Sequence, residues 1–272
     1  MNFEKLIFQI HWRIREFNER LGLRFRKDII LVYTMGKVGS TSIYYSLKKK
    51  FKGGVLFMHR MIKENINAYN EVFIRKGRNP HRSKVGELVL NKMSSKRMKI
   101  ITLVREPIGR NISDFFQDLE VYFDDHKNIN SYDDLTIRSH FMDNYPHDLP
   151  LDWFTDEFFR TTKINIYDHP FDMQKKFVLI KNNKIEVLIL RVDLKDEKKE
   201  QLIKDFLGID EFEIKRHNIA DNKSYRAKYR SFLKNCKFDD EYVYKMLDSD
   251  YCRNFYSEKE IDELKLLYGH NH

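Results

Sequence analysis

Three short stretches of the chain gather residue types that handle anions and protons. Met35-Gly36-Lys37-Val38-Gly39-Ser40-Thr41-Ser42 follows the apolar run Ile29–Tyr33 and leads into a segment with helical spacing (Ile43, Tyr44, Leu47). Glycines between a strand and a helix let backbone N–H groups close on an anion at the helix N-terminus, where the dipole assists. Arg105-Glu106-Pro107-Ile108-Gly109-Arg110-Asn111-Ile112-Ser113 follows a second apolar run, Lys99–Val104. From Pro107 to Ser113 a helix rises only about 9 Å, so a long arginine can fold back beside the serine. A guanidinium fork with a hydroxyl is a receptor for a phosphate monoester. His59 ends a third run, Val55–Met58. A neutral imidazole there suits proton abstraction near pH 7, with a purely structural histidine as the alternative. Glu64 is the reserve base, and Glu106 is expected to pair with a neighbouring arginine.

The loop departs from known nucleotide fingerprints in a telling way. An ATP-binding phosphate loop carries its lysine after the second glycine, in G-x-x-x-x-G-K-[ST]. Here Lys37 precedes Gly39, and Ser40-Thr41-Ser42 follows directly. The third strand ends in Arg105 and lacks the aspartate that helps hold Mg²⁺ in such enzymes. A dinucleotide G-x-G-x-x-G is absent as well. The features fit a phosphate loop without magnesium-binding residues, and no metal site is expected.

These residues must be positioned by alternating strands and helices. Continuous apolar runs at 29–33, 55–58 and 99–104 predict strands buried on both faces of a parallel sheet. Helices are predicted after the first loop, over about 62–75 and 84–95 around the Gly77/Pro80 break, and from Pro107 to about Phe123. A short helix is predicted near 131–143, strands over 177–181 and 185–192 joined at Asn182-Asn183, and a charged helix over 195–207 stopped by Gly208. Ser257 and Glu260 form a capping box for a last helix, with Gly269 beyond its end. The order β-α-β-α-β-α predicts a three-layer α/β domain spanning residues 1–272, with a P-loop-like central parallel sheet flanked by helices. In such a sheet ligands bind beyond the carboxyl ends of the strands, where Lys37, His59 and Arg105 lie.

Taken together, the loop 33–42 and the Arg105/Ser113 pair resemble the sulfotransferase family. More narrowly, the stretches MGKVGSTS and REPIGRNISDFFQ are similar to a bacterial branch named for capsular polysaccharide synthesis, as are Asn222-Lys223-Ser224-Tyr225 and Phe255-Tyr256-Ser257. The resemblance is strong over 28–123 and loose over 215–268, and covers no motif between. It implies a sulfotransferase-like fold and metal-independent, in-line transfer of a sulfuryl group from 3′-phosphoadenosine-5′-phosphosulfate (PAPS) to a hydroxyl of a carbohydrate or glycolipid. On that reading Lys37 meets the charge growing on the departing nucleotide. Gly36, Val38, Gly39, Ser40, Thr41 and Ser42 hold the 5′-phosphate, Arg105 and Ser113 grip the 3′-phosphate, and His59 is the base. Lys223 and Arg226 are expected to fold over the cofactor, within a basic patch of Lys228, Arg230, Tyr225 and Tyr229 that could equally be a solvated face. Segment 124–175, with Trp153 and its phenylalanines, is the expected acceptor site.

Composition sets the remaining bounds. With 272 residues, 42% hydrophobic and 14% aromatic, the chain can bury a full core, which excludes intrinsic disorder. No apolar run approaches the roughly 20 residues of a membrane span, and no secretory leader is visible. Cys236 and Cys252 lack metal-knuckle spacing, so the chain reads as cytosolic. A formal charge of +9 calls for an anionic partner. The segment 1–27 predicts a basic amphipathic helix bearing Arg13, Arg15 and Arg20, read as packed on the domain edge, with the inner membrane surface as the alternative. His140, His147, His169 and His217 show no metal-ligand spacing and read as structural. Two other functions remain open: an ATP-dependent kinase of a small molecule or sugar, which would need Mg²⁺, and a non-catalytic basic binding protein. No nucleic-acid recognition motif is visible.

Overall fold

A computed structural model of the protein describes Phe17 and residues 28–51, 54–75, 84–93, 95–216 and 225–270. Apart from Phe17, the expected helix of 1–27 lies outside these residues, as do the Gly77/Pro80 break, His217 and Lys223.

Five strands form one sheet in the order β2-β1-β3-β5-β4: β1 Asp28–Tyr33, β2 Val55–Met58, β3 Arg97–Val104, β4 Phe177–Asn182 and β5 Ile185–Arg191. The first three strands and β5 run parallel, while β4 is an antiparallel edge strand hairpinned to β5. Burial explains the difference. β1 is buried from Ile29 to Tyr33 and β5 from Val187 to Arg191, because helices cover both faces, whereas β4 buries only Ile180. The hairpin turn falls at Asn183, whose φ of +38° is a conformation asparagine tolerates better than most residues.

Helices α1 (Ser40–Phe51), α2 (Lys63–Arg75) and α3 (Lys84–Met93) connect the first three strands. The expected helix to Phe123 breaks at Asp118, giving α4 (Pro107–Gln117) and a separate turn at Leu119–Tyr122. Asp118 has φ −109° and ψ 33°, and the bend lets Leu119, Val121 and Tyr122 all face inward. Then come α5 (Asp134–Asn144), α6 (Asp196–Leu207), α7 (Arg226–Asn235), α8 (Asp240–Leu247), α9 (Asp250–Phe255) and α10 (Glu258–Tyr268). The capping box forms as the sequence implies, with Glu260 bonded to the Ser257 backbone. Glu260 also takes two hydrogen bonds from the buried Arg191 at the end of β5, which ties α10 to the sheet.

Residues 153–159 wind as a π-helix that buries Trp153, Phe154, Glu157 and Phe158. Glu157 is 1% exposed. Its carboxylate accepts from the Tyr33 hydroxyl (2.5 Å), from the backbone N–H groups of Met61 and Ile62, and from Asn65 (2.7 Å). A buried carboxylate is tolerable only when its lone pairs are satisfied in this way. The bonds join the end of β1, the start of α2 and the π-helix at one point. Glu157→Ala therefore leaves several buried donors unmatched and should cost about 3 kcal/mol or more in chemical denaturation. Glu157→Gln, which keeps one acceptor oxygen, should cost distinctly less. Equal, small losses would mean the carboxylate is dispensable.

Candidate functional site

The sheet changes direction at β1: the chain passes from β1 outward to β2, then crosses back to β3 on the other side. Strand ends flanking such a switch point leave a crevice. A cleft of about 530 Å³ opens there, within the usual range for a ligand site. Gly36, Lys37, Gly39, Ser40, Thr41, Ser42, His59, Arg105 and Ser113 all line it. Three stretches far apart in sequence thus converge on one cavity.

The loop curls because Lys37 and Gly39 both take left-handed backbone angles, φ +73° and +77°. Such turns point backbone N–H groups into a concave anion site. Lysine carries a steric penalty there that glycine does not, so the surroundings must hold it. Arg110 does so from α4. It is 1% exposed, and its Nε donates to the Gly36 carbonyl at 3.0 Å. Its other nitrogens donate to Asn111 and to the Tyr145 hydroxyl (2.6 Å) and pair with Asp114 at 3.1 Å, while Tyr145 donates to Asp114 at 2.7 Å. Burial alone would raise the Asp114 carboxyl, but Arg110 and Lys37 outweigh it and hold it below the usual range. Arg105 donates to the Lys37 carbonyl at 3.3 Å, and its backbone is clasped by the Tyr251 hydroxyl on both N–H and C=O.

Glu106 caps α4 by accepting from the Gly109 N–H (2.9 Å) and from the Tyr268 hydroxyl (3.1 Å). A side chain at 109 would meet that carboxylate at 2.0 Å, so the close approach requires glycine. Burial raises the Glu106 carboxyl, against the charge of Arg105. Its place is at the cap, beside the arginine with which it was expected to pair.

His59 follows β2. Its Nδ1 lies 2.6 Å from the Thr34 carbonyl. A carbonyl only accepts, so Nδ1 carries the hydrogen and Nε2 is the bare, proton-accepting nitrogen. Trp153 Nε1 donates to the His59 carbonyl at 2.9 Å, fixing the residue from behind. Burial lowers the imidazole to about 4.

Several expected residues fall elsewhere. Val38 is wholly buried in the core, so only its backbone is available to a ligand. The Ser40 hydroxyl shares a hydrogen bond with Thr34 at 3.0 Å. Arg226 is not in the cleft lining, and Lys228 is turned toward the Tyr132 carbonyl (2.6 Å) and Asp134. Among the described residues of that patch, only Tyr229 reaches the cleft. Glu64 is exposed and paired with Arg160 at 3.2 Å, outside the cleft lining. His140 packs on Phe123, and His147 bonds Tyr242 and the Phe141 carbonyl.

The expectation of an aromatic acceptor surface at Trp153 is corrected. Trp153, Phe154 and Phe158 pack against Tyr33 and one another inside the core, because the π-helix turns these three inward, while Phe159 of the same cluster stays exposed. The cleft instead carries Tyr44, Tyr45, Phe57, Tyr69 and Tyr229. Sequence reasoning also missed Arg60, Arg110 and Asp114. The i,i+4 spacing of Arg110 and Asp114 was a legible signal for their pair; nothing in the local sequence signalled that Arg60 faces the cleft.

A sequence-family model described as "putative capsular polysaccharide synthesis protein" matches residues 123–257, just under half of the chain. The match runs from the end of the motif-bearing segment through Ser257, and so covers the middle region where no motif was recognised. No curated protein and no solved structure matches the chain. Among the described residues no helix is long and apolar enough to cross a membrane, and no group of three or more His, Cys, Asp or Glu is arranged to hold a metal ion.

The depressed His59 value has a consequence for stability. An unfolded histidine protonates near pH 6.5, the folded one only near pH 4. Its contribution is thus fully present above about pH 6.5 and is lost as pH falls toward 4, by about 3 kcal/mol in all. The difference in unfolding free energy between wild type and His59→Gln should shrink by that amount across the window. A pH-independent difference would contradict the part-buried, neutral imidazole.

Proposed function

We propose that the chain is a sulfotransferase that moves a sulfuryl group from PAPS to a hydroxyl of a carbohydrate or glycolipid. The observation that carries this reading is the convergence on one cleft of the loop 36–42, the Arg105/Ser113 pair and His59. The similarity of residues 123–257 to a family named for capsular polysaccharide synthesis supports a saccharide acceptor.

The residues present suit the nucleotide. A loop curled by two left-handed residues offers N–H donors to a 5′-phosphate, joined by the hydroxyls of Thr41 and Ser42. Arg105 and Ser113 suit a 3′-phosphate, which ATP lacks. When bound, PAPS supplies an activated sulfuryl group. Lys37 would meet the negative charge on the departing nucleotide oxygen as its bond to sulfur breaks. His59 Nε2 would take the proton of the acceptor hydroxyl as the new oxygen–sulfur bond forms. The hydrogen bond from Nδ1 to Thr34 fixes the tautomer that leaves Nε2 bare, and desolvation keeps it unprotonated.

Titrated in a thermal-shift assay without metal, 3′,5′-ADP should stabilise the protein by mass action. Arg105→Ala should abolish that response while unfolding at a similar temperature without ligand. Stabilisation by Mg-ATP alone would move the function to phosphoryl transfer, and silence from both nucleotides would leave only a basic binding surface. In single-turnover assays with PAPS, Lys37→Ala should lose roughly 10²–10³ in rate, the size of a lost transition-state donor. A near-normal rate would remove Lys37 from the chemistry.

A further inference from the structure

Two cations of the cleft, Arg60 and Arg105, have no carboxylate within ion-pair distance among the described residues, and of the two Arg105 is engaged, donating to the Lys37 carbonyl. The lining carries four cations, Lys37, Arg60, Arg105 and Arg110, against two carboxylates, Asp114 and Asp118. Among the described residues the two fully buried arginines are each matched: Arg110 with Asp114, Arg191 with Asp193 and Glu260. Arg60 is part-buried, yet among the described residues it makes no hydrogen bond and has no carboxylate within ion-pair distance. Its recorded contact is the Tyr69 ring, 4.1 Å from the guanidinium carbon. The carboxylates nearest to it in effect are already committed. Asp114 is bonded by Arg110 and Tyr145, and Glu157 by Tyr33, Met61, Ile62 and Asn65. A part-buried guanidinium without an anion carries a desolvation cost, and desolvation together with nearby Arg110 pulls its proton affinity down. Its backbone is held firmly, since Trp153 bonds the His59 carbonyl before it and Glu157 the Met61 N–H after it.

The strand order says which ligand this fork awaits. β1 lies between β2 and β3, so the phosphate loop is central, Arg105 lies beyond β3 on one side, and His59–Arg60 lies beyond β2 on the other. A nucleotide gripped by the loop and Arg105 extends away from Arg60. The β2 side is left for the acceptor, beside the imidazole that takes its proton. A planar guanidinium stacked on an aromatic ring keeps its in-plane N–H donors for a carboxylate or phosphate.

We propose that Arg60 receives a carboxylate or phosphate group of the acceptor, so that the substrate is an acidic saccharide or glycolipid and not a neutral one. This rests on the sulfotransferase reading and specifies its acceptor.

The test uses the full chain saturated with 3′,5′-ADP, at constant ionic strength, titrated with D-glucuronate, glucose 6-phosphate or glucose while its melting temperature is followed. At least one of the two anions should stabilise the wild type saturably, glucose should not, and the responding probe identifies carboxylate or phosphate. Arg60→Gln should bind that anion at least tenfold more weakly, with Arg60→Lys intermediate, since it keeps the charge but not the fork. Both variants should respond to 3′,5′-ADP as the wild type does, which shows that they are folded. Equal anion binding in Arg60→Gln and wild type, or no response of the wild type to either anion, overturns the proposal. So does a tenfold loss of PAPS affinity in Arg60→Gln with 3′,5′-ADP affinity intact, because Arg60 would then serve the sulfuryl oxygens. Absence of any 3′,5′-ADP response in the wild type is a separate result, and it rejects the underlying reading.

Discussion

A single buried guanidinium organises the switch-point cleft. Arg110 cannot sit 1% exposed without partners, because an unpaired buried charge costs several kcal/mol. It finds them on three segments at once: the Gly36 carbonyl in the loop after β1, Asp114 and Asn111 on its own helix α4, and Tyr145 beyond α5. Satisfying the charge therefore fixes the loop against the helix that follows β3. The strained backbone at Lys37 persists inside this frame, one residue after the carbonyl that Arg110 holds.

The opposite wall depends on a buried anion of the same kind. Glu157 gathers the end of β1, the start of α2 and the π-helix, and Trp153 from that π-helix holds the His59 carbonyl. Cation and anion networks thus brace the two sides of the cleft separately. Arg191 with Glu260 secures the third corner by binding the C-terminal helix to β5. The cleft is preorganised by groups whose hydrogen bonds are spent on the protein itself, which suits a site where charge develops during reaction.

Much of the framework was legible in the chain. The strands of the parallel sheet announce themselves because burial on both faces demands unbroken apolar runs, as in Ile29–Tyr33. The capping box at Ser257 and Glu260 and the stop at Gly208 are local backbone chemistry and appear where expected. The loop glycines and the hydroxyls after them likewise reach the cleft. Local patterns misled where burial, not composition, decides availability. Trp153, Phe154 and Phe158 look like a sugar-binding surface and are core, because a π-helix turns them inward with Glu157, leaving only Phe159 of that cluster exposed. Lys228 looks like part of a ligand patch and is spent on Tyr132 and Asp134.

The sequence by itself determined the α/β alternation, the phosphate-type loop and the candidate residues at three strand ends, since each follows from neighbours within a few positions. Only the tertiary structure decided the strand order that puts His59 and Arg105 on opposite sides of the loop. Only it showed that Arg110 also reaches the Gly36 carbonyl and the Tyr145 hydroxyl, while Arg60, with the same side chain, has no ion-pair partner among the described residues. Contacts of that kind depend on distances between segments far apart in sequence, and no local spacing encodes them.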